Sequence, residues 1–354
     1  MAGGVGSRFW PMSTPQKPKQ FLDVLGIGKS LLRLTFERMQ KSVPTEHIYI
    51  LTNTSYRELV KEQLPELSFE QILCEPMRKN TAPCIAYAAS KIYANNPNAT
   101  LIISPSDHLI VNEQRFQEII STAIGVANDQ KHLVTLGIEP NRPDTGYGYI
   151  EFDLQSGVQK GQATEVIQFR EKPNLETAQA FLAAQNFYWN AGIFVWRADV
   201  ILEALHKFQP LLHKIFTSDV SAYGTTKEAD FLYQAFDQCE DISIDFAVME
   251  HAKNVSVVLA DFDWSDLGTW GSLTEHLPKD SSENSIVGDH VFAFDSSNCL
   301  VNVPKDKLVL LDGLHDYIVV ESDHMLMILK SSNEQQLKNY LKVLETERPT
   351  FFQK

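Results

Sequence analysis

The chain lacks the features that mark membrane, nucleic-acid-binding and disulfide-built proteins. Nothing in its 354 residues approaches the roughly 18 consecutive apolar residues of a membrane-spanning helix, and the N-terminus has no charged-then-apolar secretory pattern. Basic residues are outnumbered, 31 Lys and Arg against 45 Asp and Glu, and the net charge of −14 argues against DNA or RNA as a partner. An anionic small molecule would then be held by local basic groups, helix N-termini or a metal ion. The four cysteines (Cys74, Cys84, Cys239, Cys299) show no Cys-x-x-Cys or Cys/His ligand spacing. They read as buried thiols of a reducing compartment, and a cytoplasmic location is expected. Asn53, Asn98 and Asn254 head glycosylation sequons, which carry no weight without a secretory signal.

Two familiar phosphate loops are also missing. The Walker pattern needs a Gly five places before Gly28-Lys29-Ser30, where Asp23 stands, and the dinucleotide fingerprint needs a Gly where Phe9 stands. No Gly-x-Ser-x-Gly elbow or nucleophile triad is present, so a covalent hydrolase is not indicated. A kinase-like phosphotransferase and a nicotinamide oxidoreductase are disfavoured with the loops they need.

What is there begins with alternation. Short β-branched runs (His47–Thr52, Thr100–Ser104, Leu133–Gly137, Gly192–Trp196, Val255–Leu259) are separated by helix-length amphipathic stretches such as Ser30–Val43 and Thr81–Ala94. This predicts an α/β domain on a Rossmann-like, mostly parallel sheet, with ligands beyond the carboxyl ends of the strands. From about Ser282 the texture changes to short β runs broken by Gly, Asp and Asn over Val287–Val320, then a helix over Asn333–Glu347. We expect a catalytic domain at 1–280 and a small all-β module with its helix at 281–354.

The opening run reads AGGVGSRFWPMSTPQKPKQFLDVLG. Gly3, Gly4 and Gly6 let backbone N–H groups approach a polyphosphate, while Arg8 and Lys19 add fixed positive charge. Pro11, Pro15 and Pro18 stiffen the excursion between them. Glycine loops alone are weak evidence, but with Arg, Pro and Lys at these spacings the signal is strong.

This run resembles the signature of the nucleotidyltransferases that join sugar 1-phosphates to nucleoside triphosphates. Its Phe-Trp-Pro-Met-Ser and Pro-Lys-Gln-Phe-Leu details resemble the bacterial mannose-1-phosphate guanylyltransferase branch. Further matches follow in order: EPMRKNTAP (75–83), SPSDHLI (104–110), TGYGYIE (145–151), REKP (170–173), WNAGIF (189–194), SIDFAVME (243–250) and WSDLGTW (264–270). The resemblance implies a GT-A-like catalytic domain, then a short left-handed β-helix that often helps form homodimers. It also implies transfer from GTP to mannose 1-phosphate, giving GDP-mannose and pyrophosphate with Mg²⁺ or another divalent cation. A loop of this kind follows a buried strand, yet Met1 directly precedes Ala2-Gly3-Gly4, so either the natural start lies further upstream, which we expect, or the first central strand is absent.

Residue by residue, Ala2, Gly3, Gly4, Gly6 and Ser7 would bind nucleotide, with Arg8 and Lys19 as the catalytic charges. Asp107 follows an apolar strand and Asp266 lies in an aromatic-rich turn; each reads either as a turn aspartate or as a hard-cation ligand. The family's metal carboxylates match these two positions, and His108 is not needed as a ligand. Glu75, with Asn80 and Thr81, stands between a strand end and a helix start. A carboxylate there could accept from N1–H and N2–H₂ of guanine, or be a solvated loop glutamate. The resemblance places Glu171 on sugar hydroxyls and Lys172 near the sugar phosphate, with a surface Glu–Lys pair as the plainer alternative. Gly148, Asn190 and Asp245 would complete the sugar phosphate site, though Asp245 could equally begin a helix. The same chemistry on another base or sugar, or a non-catalytic sugar-nucleotide sensor, also fits this fold.

Overall fold

The computed structural model describes residues 1–352. Strands follow the chain as β1 (Ile50–Asn53), β2 (Ile72–Glu75), β3 (Thr100–Ile103), β4 (Leu109–Ile110), β5 (Leu133–Ile138), β6 (Tyr149–Phe152), β7 (Ala163–Arg170), β8 (Phe187–Arg197), β9 (Val255–Ala260), β10 (Trp264–Ser265), β11 (Ser285–Val287), β12 (His290–Phe294), β13 (Leu300–Asn302), β14 (Leu308–Asp312), β15 (Tyr317–Ser322) and β16 (Met325–Lys330). The helices that matter below are α1 (Leu31–Met39), α2 (Arg57–Gln63) and α3 (Thr81–Asn95). The expected alternation is therefore present, with element ends shifted by a few residues.

The chain divides into two compact units. The first comprises residues 1–3, 38–105 and 110–264; the second comprises 4–37, 106–109 and 265 onward. This grouping cuts differently from the 280/281 boundary expected from composition. The reason lies in side chains of the opening run: Phe9, Leu22, Val24 and Leu31 share one buried cluster with Leu267, Trp270, Leu300, Ile318 and Leu337. Texture along the sequence reports element type, whereas unit membership follows which apolar faces are buried together.

In the first unit, six strands order as β3-β8-β5-β9-β7-β6. The parallel pairing expected of βαβ units is found between β5 and β9, and between β1 and β2 in a separate two-stranded sheet. The other pairings of the six-stranded sheet are antiparallel, so that sheet is mixed. The cause is β8, eleven residues long, which runs antiparallel between β3 and β5 and reaches on to β6. β5 is covered on both sides: Leu133, Val134, Thr135 and Leu136 are all fully buried. Ala2 forms a single parallel bridge to Thr52, its N–H donating to Leu51 O at 2.7 Å.

In the second unit, β11, β13 and β15 pair in parallel and β16 closes that sheet antiparallel to β15. β12 and β14 form a second parallel pair. Successive partners lie 15 to 18 residues apart (Ser285↔Leu300↔Ile318, His290↔Leu308), so short strands stack without helices between them. Val301, Val303, Leu311 and Val319 fill the space inside.

Candidate functional site

The second unit gathers the charged residues of the opening run. Gly6 is left-handed (φ 68°), and Phe9 N–H donates to Gly6 O at 2.9 Å to close the helical turn Ser7–Phe9. A Cβ on Gly6 would lie 2.5 Å from Lys19 Cβ, so the glycine is required to seat Lys19. Lys19 N–H donates to Val5 O at 3.1 Å, and its side chain is 5% exposed. Its ammonium meets Asp107 Oδ2 at 2.9 Å, Asp266 O at 2.7 Å and Leu267 O at 3.0 Å, which occupies all three donors. The lysine therefore ties the opening run to both turns that carry the candidate metal carboxylates. Gly268 N–H donates to Asp266 Oδ1 at 2.9 Å, fixing that turn. Arg8 projects into solvent with no ion pair among the described residues.

Burial would raise the Asp107 pKa, but the Lys19 ammonium and then His108 outweigh it and hold the carboxyl below its usual range. Asp107 therefore stays an anion, with about a third of its surface (32%) open and Oδ1 facing His108 Nε2 at 4.0 Å. Among the described residues, no three His, Cys, Asp or Glu side chains are grouped to hold a metal. Two carboxylates with the remaining positions left to water and phosphate oxygens fit Mg²⁺, which rarely uses an all-protein cage. Gly4 is open around its Cα and Ser7 is exposed.

The first unit brings the other residues together. Glu75 ends β2 and is buried, not a solvated loop glutamate. Burial pushes its pKa to about 7, opposed by the Cys84 thiol and the chain N-terminus. Asn80 (φ 65°) caps α3, its Oδ1 accepting from Thr81 N–H at 3.0 Å. Thr81 Oγ1 accepts from Ile244 N–H at 2.8 Å, joining the helix start to the segment that carries Asp245. Ala2 is held against β1 by Thr52 Oγ1, which donates to its carbonyl at 2.8 Å, while Gly3 has open space about its Cα.

Gly148, Glu171, Lys172, Asn190 and Asp245 form one cluster. A Cβ on Gly148 would lie 2.5 Å from Glu171 Oε2, so the glycine makes room for that carboxylate. Lys172, left-handed at φ 45°, pairs with Glu171 Oε1. A bulge in β8 between Asn190 and Phe194 turns Asn190 in, where its N–H donates to Gly148 O at 2.8 Å. Asn190 Nδ2 donates to Asp245 Oδ1 at 3.0 Å. Asp245 does begin a helical turn, Asp245–Met249, and faces the cluster as well. Burial, then the nearby Glu171 charge, raises its pKa to about 6.

Residues 1–283 match the nucleotidyl transferase family. The chain belongs to that family. Curated relatives extend the likeness to the whole chain. It is 36% identical over 359 residues to an Escherichia coli mannose-1-phosphate guanylyltransferase, covering 100% of this chain and 75% of that protein. A Klebsiella pneumoniae protein of the same name is 37% identical over 350 residues, covering 98% and 73%. A solved Thermus thermophilus structure, described as a mannose-1-phosphate geranyltransferase, superposes with a TM-score of 0.86 at 27% identity, over 98% of each chain.

As a nucleotidyl transferase, the chain uses its α/β scaffold to present two polar clusters, each inside one unit. No helix among the described residues is long and apolar enough to cross a membrane. One participant leaves no mark in the sequence. Thr135, in the middle of the buried strand β5, donates to Asn190 Oδ1 at 2.8 Å. A lone threonine in a β-branched run gives no signal, because its partner is 55 residues away.

Proposed function

We propose that this nucleotidyltransferase condenses GTP with mannose 1-phosphate to GDP-mannose and pyrophosphate. The observation that carries the proposal is whole-chain identity of about 36% to relatives named for that reaction. The residue clusters support it. Glu171, Asn190 and Asp245 offer carboxylate and amide groups to vicinal sugar hydroxyls, and Lys172 offers an ammonium to the sugar phosphate. Glu75, once ionised, has the two oxygens needed to accept from guanine N1–H and N2–H₂. Arg8 and the backbone of Gly3, Gly4, Gly6 and Ser7 take the triphosphate, and Lys19 reaches the same centre through Asp107.

The chemistry needs no covalent intermediate. A sugar phosphate oxygen attacks the α-phosphorus in line, and pyrophosphate departs. Two anions must approach, so positioning and charge compensation carry the rate. Mg²⁺ held by Asp107 and Asp266 would supply charge neutralisation on the phosphate oxygens. Arg8, fixed on the turn Ser7–Phe9, would meet charge on the departing pyrophosphate.

A cytoplasmic location accords with four unpaired thiols. We further propose that the stacked strands β11 to β15 form a short left-handed β-helix and that the chain is a homodimer through it. Phe292, Phe294, Leu308 and Leu310 support this, since all four lie on the outer face of the β12–β14 pair with more than half their surface in solvent. Pyrophosphate release should be measured with each NTP and several sugar 1-phosphates. GTP with mannose 1-phosphate should lead, and no Mg²⁺-dependent release with any pair would overturn the reading.

A further inference from the structure

β5 is buried along residues 133–137, and the residues around Thr135 at 133, 134 and 136 are apolar and fully buried. A hydroxyl in that setting costs stability unless it is hydrogen-bonded. Thr135 is completely buried, and its Oγ1 lies 2.8 Å from Asn190 Oδ1 and 3.4 Å from Ile193 O. It reaches Asn190 because β8 bulges there: Gly137 opposes Asn190 and Thr135 opposes Phe194, so three β8 residues face one β5 residue. Gly192, left-handed at φ 66°, makes the bulge and donates its own N–H to Asn190 Oδ1 at 3.1 Å. The Asn190 oxygen thus takes two donors from the scaffold. The amide can hold only one orientation, with Nδ2 turned toward Asp245.

We infer that Thr135 is a positioning residue for the sugar phosphate, setting the Asn190 amide so that Nδ2 and the Asp245 carboxylate act as a fixed donor–acceptor pair for adjacent sugar hydroxyls. Thr135 touches no substrate itself. It acts together with the Gly192 N–H to hold the Asn190 oxygen, opposing the flip that would set Oδ1 against the Asp245 carboxylate. One buried hydroxyl thereby couples the core of the sheet to sugar recognition. The inference rests on the proposed sugar site and deepens it.

The test compares Thr135→Val, which keeps the shape and removes the donor, with Thr135→Ser, which keeps the donor, and with Asn190→Ala. Initial rates of pyrophosphate release are read against mannose 1-phosphate and GTP separately. Thr135→Val should raise the KM for mannose 1-phosphate about five- to tenfold, the worth of one buried hydrogen bond, and leave the KM for GTP within about twofold. Thr135→Ser should stay close to wild type, which a purely packing role for the threonine would not produce. An unchanged sugar KM in Thr135→Val, equal rises for both substrates, or a serine variant as impaired as the valine one would each overturn the inference. Asn190→Ala separates the two levels: if it leaves the sugar KM unmoved, the sugar site itself is misassigned. If it raises that KM while Thr135→Val does not, only the role of Thr135 fails. Should the valine variant not fold, Thr135→Ala carries the same comparison.

Discussion

Gly6→Ala tests the argument about the opening run most sharply. The new Cβ would stand 2.5 Å from Lys19 Cβ, at least about 1 Å inside ordinary carbon–carbon contact. Lys19 Cβ belongs to the stem of the side chain, so no flexible tip can swing away. The left-handed backbone adds about 1 kcal/mol of strain, and the overlap adds about 1–3 kcal/mol. The expected loss is thus about 2–4 kcal/mol, measured from chemical unfolding of variant and wild type. Relief would come by moving Lys19, which would disturb its bonds to Asp107, Asp266 and Leu267, so kcat should fall as well. Gly4→Ala is the control. A Cβ there meets nothing within 4 Å, so unfolding should change by less than about 0.5 kcal/mol, and any loss should fall on the KM for nucleotide. If Gly6→Ala unfolds at the wild-type midpoint with wild-type kcat, the seating of Lys19 on a glycine is wrong.

Three further outcomes are expected. Glu75 has its pKa raised to about 7 by burial, so between its ordinary value and about pH 7 the folded state holds more protons and stability falls as pH rises. Glu75→Gln should therefore gain up to about 3 kcal/mol on wild type from pH 5 to pH 8, and parallel pH–stability curves would refute this; the same variant should lose its preference for GTP over UTP. Lys19→Met should cost about 2 kcal/mol, less than a fully buried pair because Asp107 is partly open, and Asp107→Asn in the same chain should restore part of it. Strictly additive effects in that double-mutant cycle would show that the pair is not coupled. Phe292→Asp with Leu310→Asp should convert a dimer to a monomer by light scattering while leaving the thermal midpoint of the monomer near wild type; an unchanged mass would remove the dimer face.

Much of the candidate site was legible because each part sits in a short contiguous motif. Glu171 and Lys172 adjoin in the chain and pair in space, and Asp107 lies four residues past the end of β3, so order along the chain already placed these charged groups. Lys19 was legible as a charge and illegible as a structural tie, since its acceptors lie 88 and about 247 residues away. Asp245 left open a choice between helix start and ligand; it begins the turn Asp245–Met249 and also accepts from Asn190 Nδ2, so a helix start does not take it out of the cluster. The antiparallel share of the sheet was invisible for a related reason. Strand direction in β8 depends on where its partners β3 and β5 lie, and β-branched runs read the same either way.

What the sequence determined by itself was the set of chemical groups and their local frames: the glycines and charges of the opening run, the strand-end carboxylates, and the change of texture after Ser282. Those depend on φ preference, on charge and on periodicity, which act over a few residues. Only tertiary structure decided that the opening run packs with the C-terminal strands, that Gly6 is a glycine on account of Lys19, and that Thr135 orients Asn190. Each of these is a contact between distant segments, fixed by which apolar faces must be buried together and by which buried polar atom needs a partner.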